Sequence, residues 1–561
     1  MHRSRAPPLP AIPDANVFAL FFGAPLPEYT LYVDAASGRR HGVREYLEWV
    51  RDAATALGAP CAQGGLGLGA DDIVGVFSHN CVSYAALVHA CLAIATPFAN
   101  LSAYATPYEL AHGLRTARPT VLFAQPALLP VALAAAKEVG LPESRIYVLE
   151  GESPSRTCLQ ELVDRVRRER VPREAVRPVK RDALAYLVFS SGTSGLPKAV
   201  MISHGNIWAM VTAQTIWRTE EAKYLKLTPP KVPPVALSYL PMYHALALNA
   251  VAFREFATPV TMVIMEKWDA GGVLKAIEKY RINIFMVVPS VVHQLLNHPS
   301  FPTTDFSSVV SAGCGAAHLP PALRDRFLAR FKDMSLWEGF GMSELTLGIS
   351  RTPPPGMYGL RVPPASCGLL VSGVAARIVR DDGTDAAPGE PGELWVRAPM
   401  VALGYYGDAR ATHEAFAGGW LRTGDWMRID ADGFLYFVER RKDTLKVGGA
   451  QVAPRELEDV LHAHPGALVR DVCVAGVRGG RTADERVPRA WVVLSDAGRR
   501  VGARAALEAL EAWTRANLSP YKHLRGGFEV VDEIPKNPTG KVMRRVLQER
   551  FEAQYAGKAK L

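Results

Sequence analysis

Short apolar runs alternate with helix-length stretches along most of this 561-residue chain, and that alternation restricts the fold more than any other feature. Residues 28–60 read as a strand, a turn and a helix: YTLYVDAASG, then REYLEWVRDAATAL with apolar residues at helical spacing. DDIVGVFSHN reads as a buried strand and YAALVHACLAIATPF as a helix. ARPTVLFAQ, ESRIYVLEG and RINIFMVVPS are further strands, separated by helical stretches. Strands joined through helices predict an α/β fold with helices covering mostly parallel sheets. From about residue 368 the texture changes to short strands and tight turns (VAARIVRDDG, GELWVRAP, WMRIDADGFLYFVER), and Asp432-Gly433 signals a hairpin. After Arg441 the α/β pattern returns on a smaller scale: a helix from Pro454, strands at DVCVAGV, RAWVVLS and GFEVVDEI, and helices at AALEALEAWTRANL and the C-terminus. At roughly 100–200 residues per domain the chain is too long for one core. The expected organisation is a large N-terminal domain over residues 1–440, with mixed α/β sheets plus a small β-rich part, and a small α/β domain over 441–561.

Composition excludes several classes. With 48% hydrophobic and 21% charged residues the chain is neither wholly disordered nor collagen-like. No apolar run reaches the roughly 18–20 residues that span a bilayer; the best candidate, residues 84–99, is interrupted by His89 and Pro97. MHRSRAPPLPAIPDAN has no apolar core of a secretory signal. Seven scattered cysteines without a CxxC pair suggest neither a disulfide framework nor a zinc site, and fit a reducing compartment. The net charge is +9, and residues 441–561 hold 22 Lys+Arg against 15 Asp+Glu, a difference of +7. The basic residues are dispersed and no aromatic-rich motif accompanies them, which argues against nucleic acid; a solvated basic surface and a polyanionic small molecule both fit.

Two glycine-rich stretches differ in meaning. GLGLGA at 65–70 matches a dinucleotide fingerprint, but it follows a helix and precedes a strand, the reverse of what that site requires. In LAYLVFSSGTSGLPKAVMIS an apolar strand runs into Ser190, Ser191, Gly192, Thr193, Ser194, Gly195, Leu196, Pro197 and Lys198, and a second strand leaves. Glycines let backbone N–H groups converge on an anion, hydroxyls add donors and Lys198 adds charge, which makes a phosphate cradle. The Walker pattern is not met, since Ala199 follows the lysine and a strand follows the loop. Nor does the loop contain the G-x-S-x-G elbow of serine hydrolases.

This loop resembles the phosphate loop of the adenylate-forming superfamily, which includes acyl-CoA synthetases, 4-coumarate–CoA ligases, luciferases and peptide-synthetase adenylation domains. Four further stretches resemble its motifs in order. Trp337-Glu338-Gly339-Phe340-Gly341-Met342-Ser343-Glu344 is similar to G-Y-G-x-T-E, and Leu421-Arg422-Thr423-Gly424-Asp425 to Y-R-T-G-D. Glu439-Arg440-Arg441-Lys442-Asp443 through Pro454-Arg455-Glu456-Leu457-Glu458 resembles the interdomain hinge, and Pro535-Lys536-Asn537-Pro538-Thr539-Gly540-Lys541 the catalytic-lysine motif. The similarity spans about residues 20–550.

The resemblance implies that a carboxylate attacks the α-phosphate of ATP to give an acyl-adenylate, which CoA then captures with release of AMP. Two anions must meet, so positive charge is needed where the phosphorus becomes pentavalent. By resemblance Lys541 supplies it. Glu344 would hold Mg²⁺, a hard cation suited to carboxylate and phosphate oxygens. Ser343, in place of the usual threonine, keeps the hydroxyl for the α-phosphate. Phe340 replaces a tyrosine and keeps the adenine-stacking face. Glu338 and Gly339 complete the nucleotide stretch, and Asp425 and Arg440 would bind the ribose. His244 in Leu240-Pro241-Met242-Tyr243-His244 resembles the histidine near the acyl carboxylate and the route to the thiol. Family members swing the small C-terminal domain about the hinge, so that domain is expected to be mobile. Lys442 sits at the hinge position, Lys446 matches the lysine of thioester formation, and Gly449 lines the thiol path. Gly448 stands where relatives often carry a basic residue.

The acyl pocket is expected among Tyr243, His244, Leu246, Gly315, Ala316 and Gly341. Phenol-specific relatives place a tyrosine two residues after the motif histidine, where this chain has Leu246. An apolar wall cannot hydrogen-bond a para-hydroxyl. A medium- or long-chain fatty acid, or an aryl acid of the coumarate-like type without that hydroxyl, is therefore expected. Ala559-Lys560-Leu561 nearly matches the S-K-L peroxisomal address and implies an import receptor as partner; otherwise the chain would be cytoplasmic. Two alternatives remain open at this point: loading of a carrier protein's phosphopantetheine, and a non-catalytic acyl- or nucleotide-binding relative.

Overall fold

The computed structural model describes residues 1–558 except 152, 191–196, 226–231, 255, 257, 316–318, 320, 381, 441–444, 448–449, 453, 480–485, 536–541 and 543. By contacts they form two units. The first is 1–103, 113–189 and 199–439; the second is 104–112, 190–198 and 440–561.

The first unit holds two seven-stranded sheets. In one, strands Leu184–Ser190, Phe98–Leu101, Val74–Phe77, Val121–Ala124 and Ile146–Val148 run parallel in that order, with Lys198–Ser203 and Gly404–Tyr405 beyond Leu184–Ser190. The four residues of Val74–Phe77 are all buried, as expected of a strand covered on both faces. In the other, Ser335–Glu338, Ser311–Cys314, Ile284–Val287, Val235–Ser238, Thr261–Ile264 and Thr30–Asp34 are parallel, and Arg40–Gly42 closes the edge antiparallel. Helix Val82–Ala93 is buried on nearly every side, which is why its sequence carries no polar stripe.

That helix is shorter than its apolar run suggests. Ala95 takes a left-handed φ of 55° and Pro97 offers no N–H, so the chain leaves the helix and Phe98 opens a strand. The β-rich part is an antiparallel sheet of Ala375–Val379, Gly392–Arg397, Trp420–Ile429, Phe416–Ala417 and Leu435–Arg440. Gly433 turns its hairpin with φ of 90°. The sheet is joined at its edge by His2–Arg3, a strand that the proline-rich N-terminal sequence does not announce.

In the second unit, strands Val469–Arg478, Arg486–Leu494 and Phe528–Val530 pack with helices Pro454–His462, Ala503–Asn517 and Arg544–Lys558. Buried within it, Lys522 Nζ lies 2.8 Å from Glu109 Oε1 and 2.7 Å from Glu456 Oε1. Among the described residues no helix is long and apolar enough to cross a membrane.

Candidate active site

In an open parallel sheet, ligand chemistry gathers beyond the carboxyl ends of the strands. Here Ser311–Cys314 and Ser335–Glu338 end side by side, with Cys314 paired to Glu338. Glu338 opens the stretch expected to bind nucleotide. Its backbone carbonyl accepts from Thr352 N at 2.8 Å and from Thr352 Oγ1 at 3.0 Å. Its carboxyl is half-buried, and burial raises its pKa against the opposing pull of Arg324.

The next residues fold back as a tight hairpin. A Cβ on Gly339 would lie 2.4 Å from the Ser350 carbonyl oxygen, and one on Gly341 would lie 2.0 Å from that of Leu347. Only glycine fits either place. Phe340 N donates to Ser350 Oγ at 3.0 Å, and Phe340 keeps part of its ring exposed. Ser343 and Glu344 then form a single 3₁₀ turn. Thr346 leaves that turn with φ of 64°, a strained conformation for a β-branched residue. It is held there by its Oγ1 donating to Met400 O at 2.7 Å and by its carbonyl accepting from Asn249 Nδ2 at 3.1 Å.

Glu344 is buried, with Oε1 accepting from the Tyr405 hydroxyl at 3.0 Å and its carbonyl accepting from Ala402 N at 2.9 Å. Burial and the carboxylate together push the Tyr405 phenol far above its ordinary range, so it stays a donor. Tyr405 pairs in register with Val200, on the strand that leaves the phosphate loop. Sequence reasoning missed Tyr405; the run Gly404-Tyr405-Tyr406-Gly407 matches no motif, and its only signal is two aromatics between glycines. Among the described residues no three His, Cys, Asp or Glu side chains cluster as a metal cage. A single carboxylate suits magnesium, which typically keeps waters and phosphate oxygens as its other ligands.

Asp425 is also buried. Its motif lies inside strand Trp420–Ile429, where the pairing with Gly392–Arg397 shifts register between Glu393 and Trp395. Gly424 takes φ of 72° at this bulge and its N–H donates to Glu393 Oε1 at 3.0 Å. Thr423 Oγ1 donates to Leu394 O at 2.7 Å and accepts from Asp425 N at 3.1 Å. The bulge re-aims the carboxylate where a regular strand would not.

The expected acyl-pocket residues come together in part. His244 precedes helix Ala245–Ala252, and its ring centroid lies 4.4 Å from that of Tyr243. Burial pulls its pKa down to about 4, so the ring is neutral at physiological pH. A Cβ built on Gly315 would meet Leu246 Cδ2 at 3.7 Å, which sets those two residues face to face. Asn249, on the same helix, ties this wall to the turn after Glu344.

In the second unit, Ser190 ends one strand and is buried, and Lys198 begins the next. Ser191, Gly192, Thr193, Ser194, Gly195, Ala316, Lys442, Gly448, Gly449, Lys541 and the Ala559-Lys560-Leu561 tail lie outside the described residues. The backbones of Arg440 and Lys446 lie in strands Leu435–Arg440 and Leu445–Val447; their side chains also lie outside the described set.

Residues 23–406 match the AMP-binding enzyme family, and residues 456–541 match the AMP-binding enzyme C-terminal domain. The chain belongs to the AMP-binding enzyme family. It is 32% identical to "Acyl-CoA synthetase 7" of Caenorhabditis elegans, over 81% of each chain. It is 30% identical to "4-coumarate--CoA ligase-like 5" of Oryza sativa subsp. japonica, covering 99% of this chain and 95% of that one. The structure of the amide bond synthetase McbA from Marinactinospora thermotolerans superposes with a TM-score of 0.78 at 26% identity, over 96% of this chain and 99% of that one. This member of the AMP-binding enzyme family is an AMP-forming acid–thiol ligase, and the CoA ligases of the family use ATP and CoA.

Proposed function

We propose that the protein activates an apolar carboxylic acid with ATP, through an acyl-adenylate, and transfers the acyl group to CoA. The observation that carries this reading is the buried Glu344 carboxylate, fixed by Tyr405 at the end of the nucleotide stretch. Bound with the triphosphate, magnesium would neutralise phosphate charge, and Glu344 is the residue that would hold it. Asp425 accepts from the ribose hydroxyls, Phe340 stacks on adenine, and Ser343 donates to the α-phosphate. Lys541 bridges the acid and the α-phosphate as their repulsion peaks. Lys446 serves the second step, thioester formation. His244, neutral, stands beside the acyl carboxylate.

The wall made by Leu246 and Gly315 offers methyl groups and no donor or acceptor side chain. That supports a medium- or long-chain fatty acid, or an aryl acid without a para-hydroxyl, as substrate. We also propose import into peroxisomes through Ala559-Lys560-Leu561, which resembles S-K-L. Removing those three residues should leave activity intact and turn a punctate fluorescent fusion cytosolic.

A panel of acids of varied length and ring substitution, in acid-dependent pyrophosphate exchange, tests the first step. CoA, a phosphopantetheinylated carrier protein or an amine, added in turn, then identifies the acceptor. Exchange with no member of the panel rejects the adenylation. Exchange with product formed only on the carrier or the amine rejects CoA as acceptor. Lys541→Ala should lower exchange by orders of magnitude. Lys446→Ala should spare exchange and slow thioester release.

A further inference from the structure

A surface cleft of about 980 Å³ lies in the first unit, and none of its lining residues belongs to the nucleotide, acyl or thiol sets. Its volume is in the range of ligand sites. Three arginines line it: Arg3, Arg181 and Arg397, against one acid, Asp182. Leu9, Ile12, Val374 and Leu403 give the cleft an aliphatic side, Ser4, Ser203 and Asn206 add polar side chains, and no aromatic side chain lines it.

The cleft is built by the sheet. Arg3 pairs with Ala375, and Ala375 with Arg397, across three adjacent strands. Cross-strand partners share a face. The two guanidinium stems therefore flank a single methyl group across two interstrand spacings, about 10 Å. The N-terminal wall is pinned by Ser4 Oγ donating to Leu370 O at 2.8 Å and Ser372 Oγ donating to Pro7 O at 2.5 Å. Gly373, with φ of 80°, lets Leu9 approach so closely that a Cβ there would lie 3.0 Å from Leu9 Cδ2. On the facing wall, Asn206 Nδ2 donates to Pro399 O at 2.8 Å and to Val401 O at 2.9 Å.

Of the three arginines, Arg181 pairs with Asp14 at 4.0 Å. Among the described residues neither Arg3 nor Arg397 forms an ion pair, and the Arg397 guanidinium carbon is held 4.7 Å above the Trp420 ring. Stacking of that kind orients the guanidinium and leaves its N–H edge for an anion. An anionic head between two guanidiniums and an aliphatic wall with nothing to stack a base select against nucleotides and for an extended amphipathic anion.

We propose that this cleft binds a long-chain carboxylate at a site separate from the candidate active site. The carboxylate sits between Arg3 and Arg397, and the chain lies along Leu9, Ile12, Val374 and Leu403. The proposal concerns binding alone and stands whichever acid is activated.

Equilibrium dialysis of labelled dodecanoate against the full chain, without ATP, tests it. Wild type should bind it, while acetate and dodecyltrimethylammonium should not occupy the site. Arg3→Ala and Arg397→Ala should each weaken binding about tenfold. The double variant should lose one bound molecule per chain and keep wild-type pyrophosphate exchange. Ala375→Phe, which fills the floor between the two stems, should abolish the same binding by a different route. Dodecanoate should also change indole fluorescence in wild type but not in Trp420→Phe, which should still bind it in dialysis. Unchanged stoichiometry in both the double variant and Ala375→Phe overturns the proposal. Equal binding of the cationic amphiphile would overturn it as well.

Discussion

The Tyr405 hydroxyl donates to Glu344 Oε1 at 3.0 Å, and the strand that carries Tyr405 pairs with the strand that leaves the phosphate loop. A buried carboxylate needs its donors, and one that must also take a cation needs its orientation fixed. Tyr405→Phe removes one charge-assisted hydrogen bond and leaves the ring's packing in place. The magnesium concentration for half-maximal pyrophosphate exchange should rise about tenfold, with little change in the KM for the acid. A magnesium titration superimposable on that of wild type would remove Tyr405 from the site.

Selectivity is the next consequence. Leu246 Cδ2 and the position of a Gly315 Cβ are 3.7 Å apart, so a larger side chain at either residue narrows the same space. Leu246→Tyr introduces a hydroxyl where relatives that take phenolic acids carry one. The ratio of kcat/KM for a para-hydroxylated aryl acid over its unsubstituted analogue should rise roughly tenfold or more. Gly315→Val should lower kcat/KM for bulky acids while sparing short ones. If both variants leave the substrate profile untouched, Leu246 packs without touching the acid.

The α/β alternation and the glycine-bearing motifs were legible because each rests on local chemistry. Buried parallel strands must be apolar throughout, and Gly339 and Gly341 must lack a Cβ where backbone passes 2.4 Å and 2.0 Å away. What depends on long-range pairing was not legible. His2–Arg3 becomes a strand only because Ala375–Val379 presents an open edge. Thr423-Gly424-Asp425 looks like a turn in sequence; it becomes a bulge because Glu393, on the neighbouring strand, accepts the Gly424 N–H. Tyr405 is recognisable only once Glu344 stands opposite it, 61 residues away in the chain.

Acid sensitivity of the fold should come partly from buried histidines. His89 is fully buried; Tyr46 Oη lies 2.7 Å from Nδ1, and Nε2 lies 2.7 Å from the Ala252 carbonyl. A ring donating from Nε2 and accepting at Nδ1 satisfies both contacts while neutral. Burial lowers its pKa to about 4 from 6.5. Above pH 6.5 folded and unfolded chains both hold it neutral and nothing is lost. As pH falls from 6.5 towards 4 the unfolded chain takes the proton first, and stability drops by up to roughly 3 kcal/mol. His204, likewise lowered to about 4 by burial, adds a decline of the same sign. Urea midpoints should therefore fall over this window, and His89→Gln should flatten the slope. An unaltered slope would place the acid sensitivity elsewhere.

The Lys522 ammonium is buried between Glu109 and Glu456. Burial alone would lower its pKa, but Glu456 and Glu109 raise it well above the ordinary lysine value. Burial would raise the Glu109 pKa, but Lys522, with Ser519 Oγ donating to Oε2 at 2.5 Å and Thr106 N donating to it at 2.9 Å, holds it below its usual value. Glu456 has no such set of donors; burial raises its pKa. The cluster contains two carboxylates and one cation, so removing the cation is the worst single change. Lys522→Met should cost about 3–5 kcal/mol in urea unfolding, because it leaves two acids buried without a counter-charge. Glu456→Gln should cost much less, since Glu109 still neutralises Lys522 and the excess negative charge disappears. The order of the two variants is the test: if Glu456→Gln is the more damaging, the lysine is not what holds residues 104–112 to this core.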